Sequence, residues 1–146
     1  MPGFRYREVL HGGFYFLAEP RDERAADLAL DVAVPDIAAF ALSRTARLSG
    51  PLTLEGFAND PAPDGKLVFD PDRQTVHYEV SFDATAGGRY RLRGYKQFDF
   101  LNLVDSFTLV RASLYDDAAH EVGRAVLRFD ARGNWKSLVR SFRLVW

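Results

Sequence analysis

The sequence predicts an all-β protein, and three observations support this fold class. Apolar and polar residues alternate with a period of two along most of the chain, as they do in half-buried strands. Glycine, proline, aspartate and asparagine cluster between the alternating segments, where turns require them. Aromatic residues make up 14% of the 146 residues, and their flat side chains pack well on a pleated sheet. A chain of this length is expected to form one domain, residues 1–146.

Nine segments are predicted to be strands. The clearest is 26–34, where every second residue from Ala26 to Val34 is apolar and faces away from Asp27 and Asp31. The other eight are residues 14–18, 46–57, 66–69, 76–82, 89–96, 107–115, 123–129 and 138–146. Strands at spacings of about ten residues predict an antiparallel β-sandwich or a closed β-barrel of about eight to nine strands. The sequence leaves both architectures open.

Turns and one or two short helical turns connect these strands. Residues 83–88 end in two glycines and predict a hairpin loop. Asp36 follows Pro35 and is placed to cap a helical turn over residues 36–42. A second helical turn is predicted at residues 134–138. No segment supplies the long crossover helices that parallel strands need, so a parallel α/β fold is disfavoured.

The composition argues against several classes of function. A net charge of −1 produces no overall field that would attract nucleic acid. The chain has no cysteine, which excludes disulfides, thiolate nucleophiles and cysteine-bound metal centres. No apolar run approaches the roughly 20 residues of a membrane span, and the first residues lack the apolar stretch of a signal peptide. We therefore expect a cytoplasmic protein without a membrane span.

The sequence contains no catalytic motif. His11, His77 and His120 are far apart and lack the spacing of metal ligands, so solvated histidines and no metal site are predicted. The serines lack the G-x-S-x-G surroundings of a nucleophile. Neither glycine pair leads into a helix whose N-terminus could bind phosphate. The prediction is therefore a protein with no catalytic residues and no cofactor.

Two neighbouring segments, 89–96 and 98–107, contain the candidate binding residues. Alternation in the first places Arg89, Arg91 and Arg93 on one face, as a basic stripe that either faces solvent or contacts a partner. The second is unusually apolar for a connection between strands and is placed to cover one end of the core, as a plug or as a lid over an apolar cavity. The candidate residues are Arg91, Arg93, Tyr95, Lys96, Phe98, Phe100 and Asp105.

Lys96 has two alternative positions in this prediction. If the pleat continues through the strand, Lys96 points inward, where an ammonium group needs a carboxylate partner. Asp99 or Asp105 would then supply the carboxylate. If Gly94 instead forms a bulge, the register shifts and Lys96 returns to solvent.

The order of several motifs gives a resemblance to a known family. Its most specific piece is the pattern L-x-G-x-K, here Leu92, Gly94 and Lys96. The other pieces are residues 36–40, 48–54, 78–82, 109–115 and the closing strand. Together they resemble the β-rich accessory module that accompanies cholesterol-oxidase-like GMC flavoproteins and some hydrolase-type proteins. The resemblance implies a non-catalytic module beside a flavin-binding domain. This chain has no G-x-G-x-x-G, so FAD is not implied.

Three functions follow as alternatives, and the first is our prediction. It is a non-catalytic β module that binds a partner domain or an apolar, lipid-like small molecule. The second is a structural domain that forms a homo-oligomer, for example through the terminal strand ending at Trp146. The third is a small β-barrel enzyme acting on an apolar substrate. Its candidate residues are Lys96, Asp105, Tyr95 and either His77 or His11.

Overall fold

Antiparallel strands make up most of the described part of the protein. The computed structural model describes residues 2–97, 109–129 and 143–145. The elements of this part are β1 (Gly3–Phe16), β2 (Arg24–Val34), α1 (Ile37–Ser43), β3 (Thr45–Ser49), β4 (Leu52–Leu54), β5 (Ala58–Asp60), β6 (Asp64–Asp70), β7 (Thr75–Asp83), β8 (Arg89–Gln97), β9 (Leu109–Tyr115), β10 (Glu121–Arg128) and β11 (Arg143–Val145). The all-β prediction is confirmed.

Eight of the described strands close into a barrel. Their order around the wall is β1-β10-β9-β8-β7-β6-β3-β2, and β2 pairs with β1 to complete the circle. The pairing of β1 with both β2 and β10 distinguishes this barrel from a sandwich. Inward side chains fill a barrel of this size, while every second residue faces outward.

β1 begins earlier than the sequence predicted. The predicted strand 14–18 covers only the end of β1, which starts at Gly3. Tyr6 packs against the core and Glu8 is buried, so polar groups interrupt the apolar side of this strand. Because the prediction relied on alternating apolar residues, it missed the half of β1 in which Tyr6 and Glu8 stand among the inward residues.

The predicted strand 46–57 is divided in two. Gly50 has a φ of +117°, and a Cβ at that position would lie 2.0 Å from the carbonyl oxygen of Ala29. The chain turns there, so that β3 pairs with one end of β2 and β4 pairs with the other. Residues 58–60, which lie outside the predicted strands, form β5 as the partner of β4.

Aromatic rings close one end of the barrel. The ring centroid of Phe57, in the turn between β4 and β5, lies 5.0 Å from that of Phe16 and 4.8 Å from that of Tyr90. Phe82 is fully buried beneath this ring. The β4–β5 hairpin is thereby packed over this end of the core.

α1 joins β2 to β3 at the opposite end of the barrel. The predicted cap is confirmed, because the Asp36 carboxylate accepts hydrogen bonds from the backbone N–H groups of Ala38 and Ala39, at 2.8 and 3.3 Å. The hairpin loop predicted at 83–88 also forms, between β7 and β8. The helical turn predicted at 134–138 lies outside the described residues. Among the residues that the structure describes, no helix has the length and hydropathy needed to cross a membrane.

Replacement of Asp36 by alanine is expected to lower the free energy of unfolding by about 1 kcal/mol, because two N–H groups at the start of α1 lose their acceptor. Asp36→Ser retains a capping oxygen and should stay close to wild type. Urea unfolding followed by circular dichroism measures both changes. Equal losses in the two variants would show that the capping oxygen does not stabilise α1.

Candidate functional site

The predicted binding residues of β8 lie on opposite sides of the barrel wall. Arg91, Arg93 and Tyr95 point outward, whereas Lys96 points inward and is buried. The pairing of β8 with β7 runs without interruption from Arg89 to Gln97. The alternation therefore continues through the strand, and the bulge considered for Lys96 does not form.

Gly94 allows close packing instead of a bulge. A Cβ at Gly94 would lie 2.9 Å from the Cβ of Ala112 and 2.9 Å from the carbonyl oxygen of Arg111. The glycine is thus needed because β8 approaches β9 closely. A glycine inside a strand commonly marks either a bulge or such a close approach.

Lys96 forms a buried ion pair with Glu8. The Lys96 Nζ atom donates to Glu8 Oε1 at 2.5 Å, and both side chains are about 5% exposed or less. The Tyr78 hydroxyl donates to Glu8 Oε2 at 3.1 Å, and Lys96 Nζ lies 5.3 Å from the centre of the Tyr78 ring. Burial, together with the charge of Glu8, raises the pKa of Tyr78 well above its ordinary value. The phenol therefore stays neutral and can donate.

Glu8 was not predicted from the sequence as the partner of Lys96. The two residues are 88 positions apart, and the carboxylates considered were the nearby Asp99 and Asp105, which lie outside the described residues. One signal was available: Glu8 is an acidic residue in step with Leu10 and Phe4 on the inward side of β1. Strand order was needed to place it opposite Lys96.

Outward side chains of β1 and β6–β10 form a concave groove of about 660 Å³. Two parallel rows of side chains cross these strands. We name them the polar row and the mixed row. The polar row consists of Lys66, Glu79, Arg93, Ser113, Arg124 and Tyr15, each paired laterally with the next. The mixed row consists of Val68, His77, Tyr95, Arg111 and Val126.

The arginines of the groove differ in their partners. Arg93 lies 3.4 Å from a carboxylate oxygen of Glu79, and Arg124 lies 2.7 Å from one of Glu121. No carboxylate in the described part of the chain forms an ion pair with Arg111. The groove therefore carries an excess of positive charge, although the whole chain is slightly acidic.

Aromatic and apolar groups accompany these charges. Tyr95 and Val126 are both 44% exposed, and the Tyr95 ring lies 6.2 Å from that of His77. The guanidinium carbon of Arg93 lies 6.0 Å from the centre of the Tyr115 ring. Exposed tyrosine and arginine side chains are typical of protein interfaces. Of the residues that line the groove, Arg93 and Tyr95 were predicted from the sequence, whereas Arg91 lies outside it and the residues from β9 and β10 were not predicted.

The candidate catalytic residues of the enzyme alternative that the structure describes do not lie together. Lys96 lies inside the barrel, whereas Tyr95 and His77 lie in the groove outside it. His11 is also outside and contacts Asp27 at 2.5 Å. Asp105 and the predicted lid residues Phe98 and Phe100 lie outside the described residues.

The described interior of the barrel is filled by side chains. A void of about 10 Å³ lies among described apolar residues such as Leu30, Leu92 and Leu127. This volume would hold no more than one water molecule. The described part of the core therefore offers no room for a lipid-like ligand.

Known proteins give no information on the function of this chain. No family model, no curated protein and no solved structure matches the chain. The resemblance to the accessory module of GMC flavoproteins stays a prediction.

Proposed function

We propose that the chain is a non-catalytic β-barrel module that binds a partner protein through the outer groove. The observation that carries this proposal is the groove itself, a concave surface on which arginine and tyrosine side chains from neighbouring strands are exposed together. Such side chains supply much of the binding energy at protein interfaces. The expected cytoplasmic location belongs to the same proposal.

A partner protein is favoured over an apolar small molecule for two reasons. The void lined by described core residues measures only about 10 Å³, so this part of the core leaves little space for an apolar ligand. The groove, in contrast, is open and carries charges on a rigid wall of paired strands. Binding there needs no rearrangement of the core, which lowers the cost of association.

Photo-crosslinking in the cells that make the protein tests this proposal. A photoreactive amino acid at Ser113, at the centre of the groove, is expected to yield a discrete crosslinked protein. The matched control places the same amino acid at Thr53, an exposed residue of β4 outside the groove. Addition of the substitution Arg111→Glu should abolish the product from position 113.

Three outcomes would contradict the proposal. The first is the absence of a discrete crosslinked product at position 113, with the same background as at position 53. The second is a crosslinked product at position 113 that persists with Arg111→Glu. The third is a crosslink between two copies of the chain, which would support the homo-oligomer alternative instead. Sedimentation of the purified protein distinguishes this last case.

A further inference from the structure

We propose that the groove recognises an acidic peptide segment of the partner, and that Arg111 forms the central ion pair with it. This inference rests on the proposed function and adds the chemistry of the partner. Arg111 lies in the middle of the groove, and the described residues provide it with no carboxylate. A carboxylate from a partner would form with Arg111 the kind of ion pair that Arg93 and Arg124 already form with glutamates of this chain.

The net charge of the groove supports an acidic occupant. Its cationic side chains are those of Lys66, Arg93, Arg111 and Arg124. Against them stand Glu79, which lines the groove, and Glu121, which pairs with Arg124. The excess of positive charge is local, because the whole chain has a net charge of −1. An acidic segment would therefore be attracted to this face and not to the protein as a whole.

The spacing of the arginines favours several carboxylates over one compact anion. Arg93 and Arg124 flank Ser113 on either side, so their backbones are two strand spacings apart, roughly 10 Å. Each guanidinium group is already paired with a carboxylate of this chain, that of Arg93 with Glu79 and that of Arg124 with Glu121. Alternate side chains of an extended peptide are about 7 Å apart, which suits cations distributed along a groove.

The mixed row indicates that the segment also carries an apolar side chain. Arg111 lies between Tyr95 and Val126, both of which are partly exposed. A peptide whose carboxylate reaches Arg111 would place neighbouring side chains against these two residues. Burial of their apolar surface would add to the electrostatic attraction.

A nucleic acid fits this groove less well than an acidic peptide. Glu79 lies within the polar row, beside Arg93. A continuous phosphate backbone that crossed this row would meet the Glu79 carboxylate, whereas a peptide can place an uncharged residue there. Binding of nucleic acid depends on neutralising successive phosphates, which an intervening carboxylate opposes.

Fluorescence anisotropy with labelled peptides tests the inference on the purified full chain. The probe is a short peptide in which glutamate alternates with serine around one phenylalanine. The comparison peptide has lysine in place of glutamate, and a labelled oligothymidine serves as the nucleic-acid probe. The acidic peptide is expected to bind most tightly, and its binding should weaken as salt screens the exposed charges.

Two charge-reversal variants provide the matched comparison. Arg111→Glu is expected to weaken binding of the acidic peptide by about tenfold or more, because attraction becomes repulsion. Arg5→Glu makes the same change at an exposed residue of β1 outside the groove and should leave binding nearly unchanged. Equal weakening by both variants, or tighter binding of the lysine peptide or the oligothymidine, would overturn the inference.

The outcomes separate this inference from the proposed function. A partner that crosslinks at position 113 and is lost with Arg111→Glu, together with no preference for the acidic peptide, would leave the groove as a binding surface and refute its acidic ligand. Failure of both experiments would refute the proposed function as well.

Discussion

Replacing Lys96 by methionine, with Glu8 left in place, should lower the free energy of unfolding by about 3–5 kcal/mol. Methionine keeps most of the volume of the lysine stem but removes the charge. The carboxylate of Glu8 would then remain about 95% buried with the Tyr78 hydroxyl as its described partner. A buried carboxylate without a cation costs far more free energy than an exposed one.

The double variant Glu8→Gln/Lys96→Met tests whether the charge is the cause. An uncharged glutamine can still accept a hydrogen bond from Tyr78, so the double variant should recover most of the loss. Arg124→Met breaks an exposed pair and should cost no more than about 1 kcal/mol. Urea unfolding measures all three proteins. A double variant no more stable than Lys96→Met would contradict this explanation. If Lys96→Met does not fold, the double variant is still expected to fold, and its failure would contradict the explanation equally.

Replacing Phe82 by alanine should lower the free energy of unfolding by about 3–5 kcal/mol, since a large side chain is lost from a fully packed site. Phe82 is fully buried, and its ring lies 6.2 Å from those of Phe57 and Tyr90. The cavity would form where the β4–β5 hairpin covers the barrel. The surrounding strands hold the walls of this cavity apart and limit its collapse.

Leu42→Ala is the control for this second prediction. Leu42 is 89% exposed on α1, so its truncation should change the free energy of unfolding by no more than about 0.5 kcal/mol. Denaturant unfolding should show a lower midpoint for Phe82→Ala with an unchanged slope, as expected when stability alone is affected. A loss for Phe82→Ala as small as that for Leu42→Ala would contradict the packing described for this end.

The candidate site was predictable only in part: the residues of β8 were predicted, whereas those of β9 and β10 were not. Alternation along β8 correctly placed Arg89, Arg91 and Arg93 on one face, because this property depends on neighbouring residues alone. The groove also needs Arg111 and Arg124 from β9 and β10. The hairpin loop at 83–88 predicted one neighbour of β8, which is β7. Nothing in the sequence specified the strand on its other side, so the residues of β9 and β10 were not associated with β8.

The sequence by itself determined the local features of this protein. It indicated the strand periodicity, the hairpin loop at 83–88 and the cap at Asp36, since each depends on residues close together in the chain. The tertiary structure decided the closure of β1 against β2 and β10, the pairing of Glu8 with Lys96, and the assembly of the groove. Backbone hydrogen bonds between strands are the same for almost any residue pair. Strand order therefore emerges only when the whole chain packs its apolar side chains together.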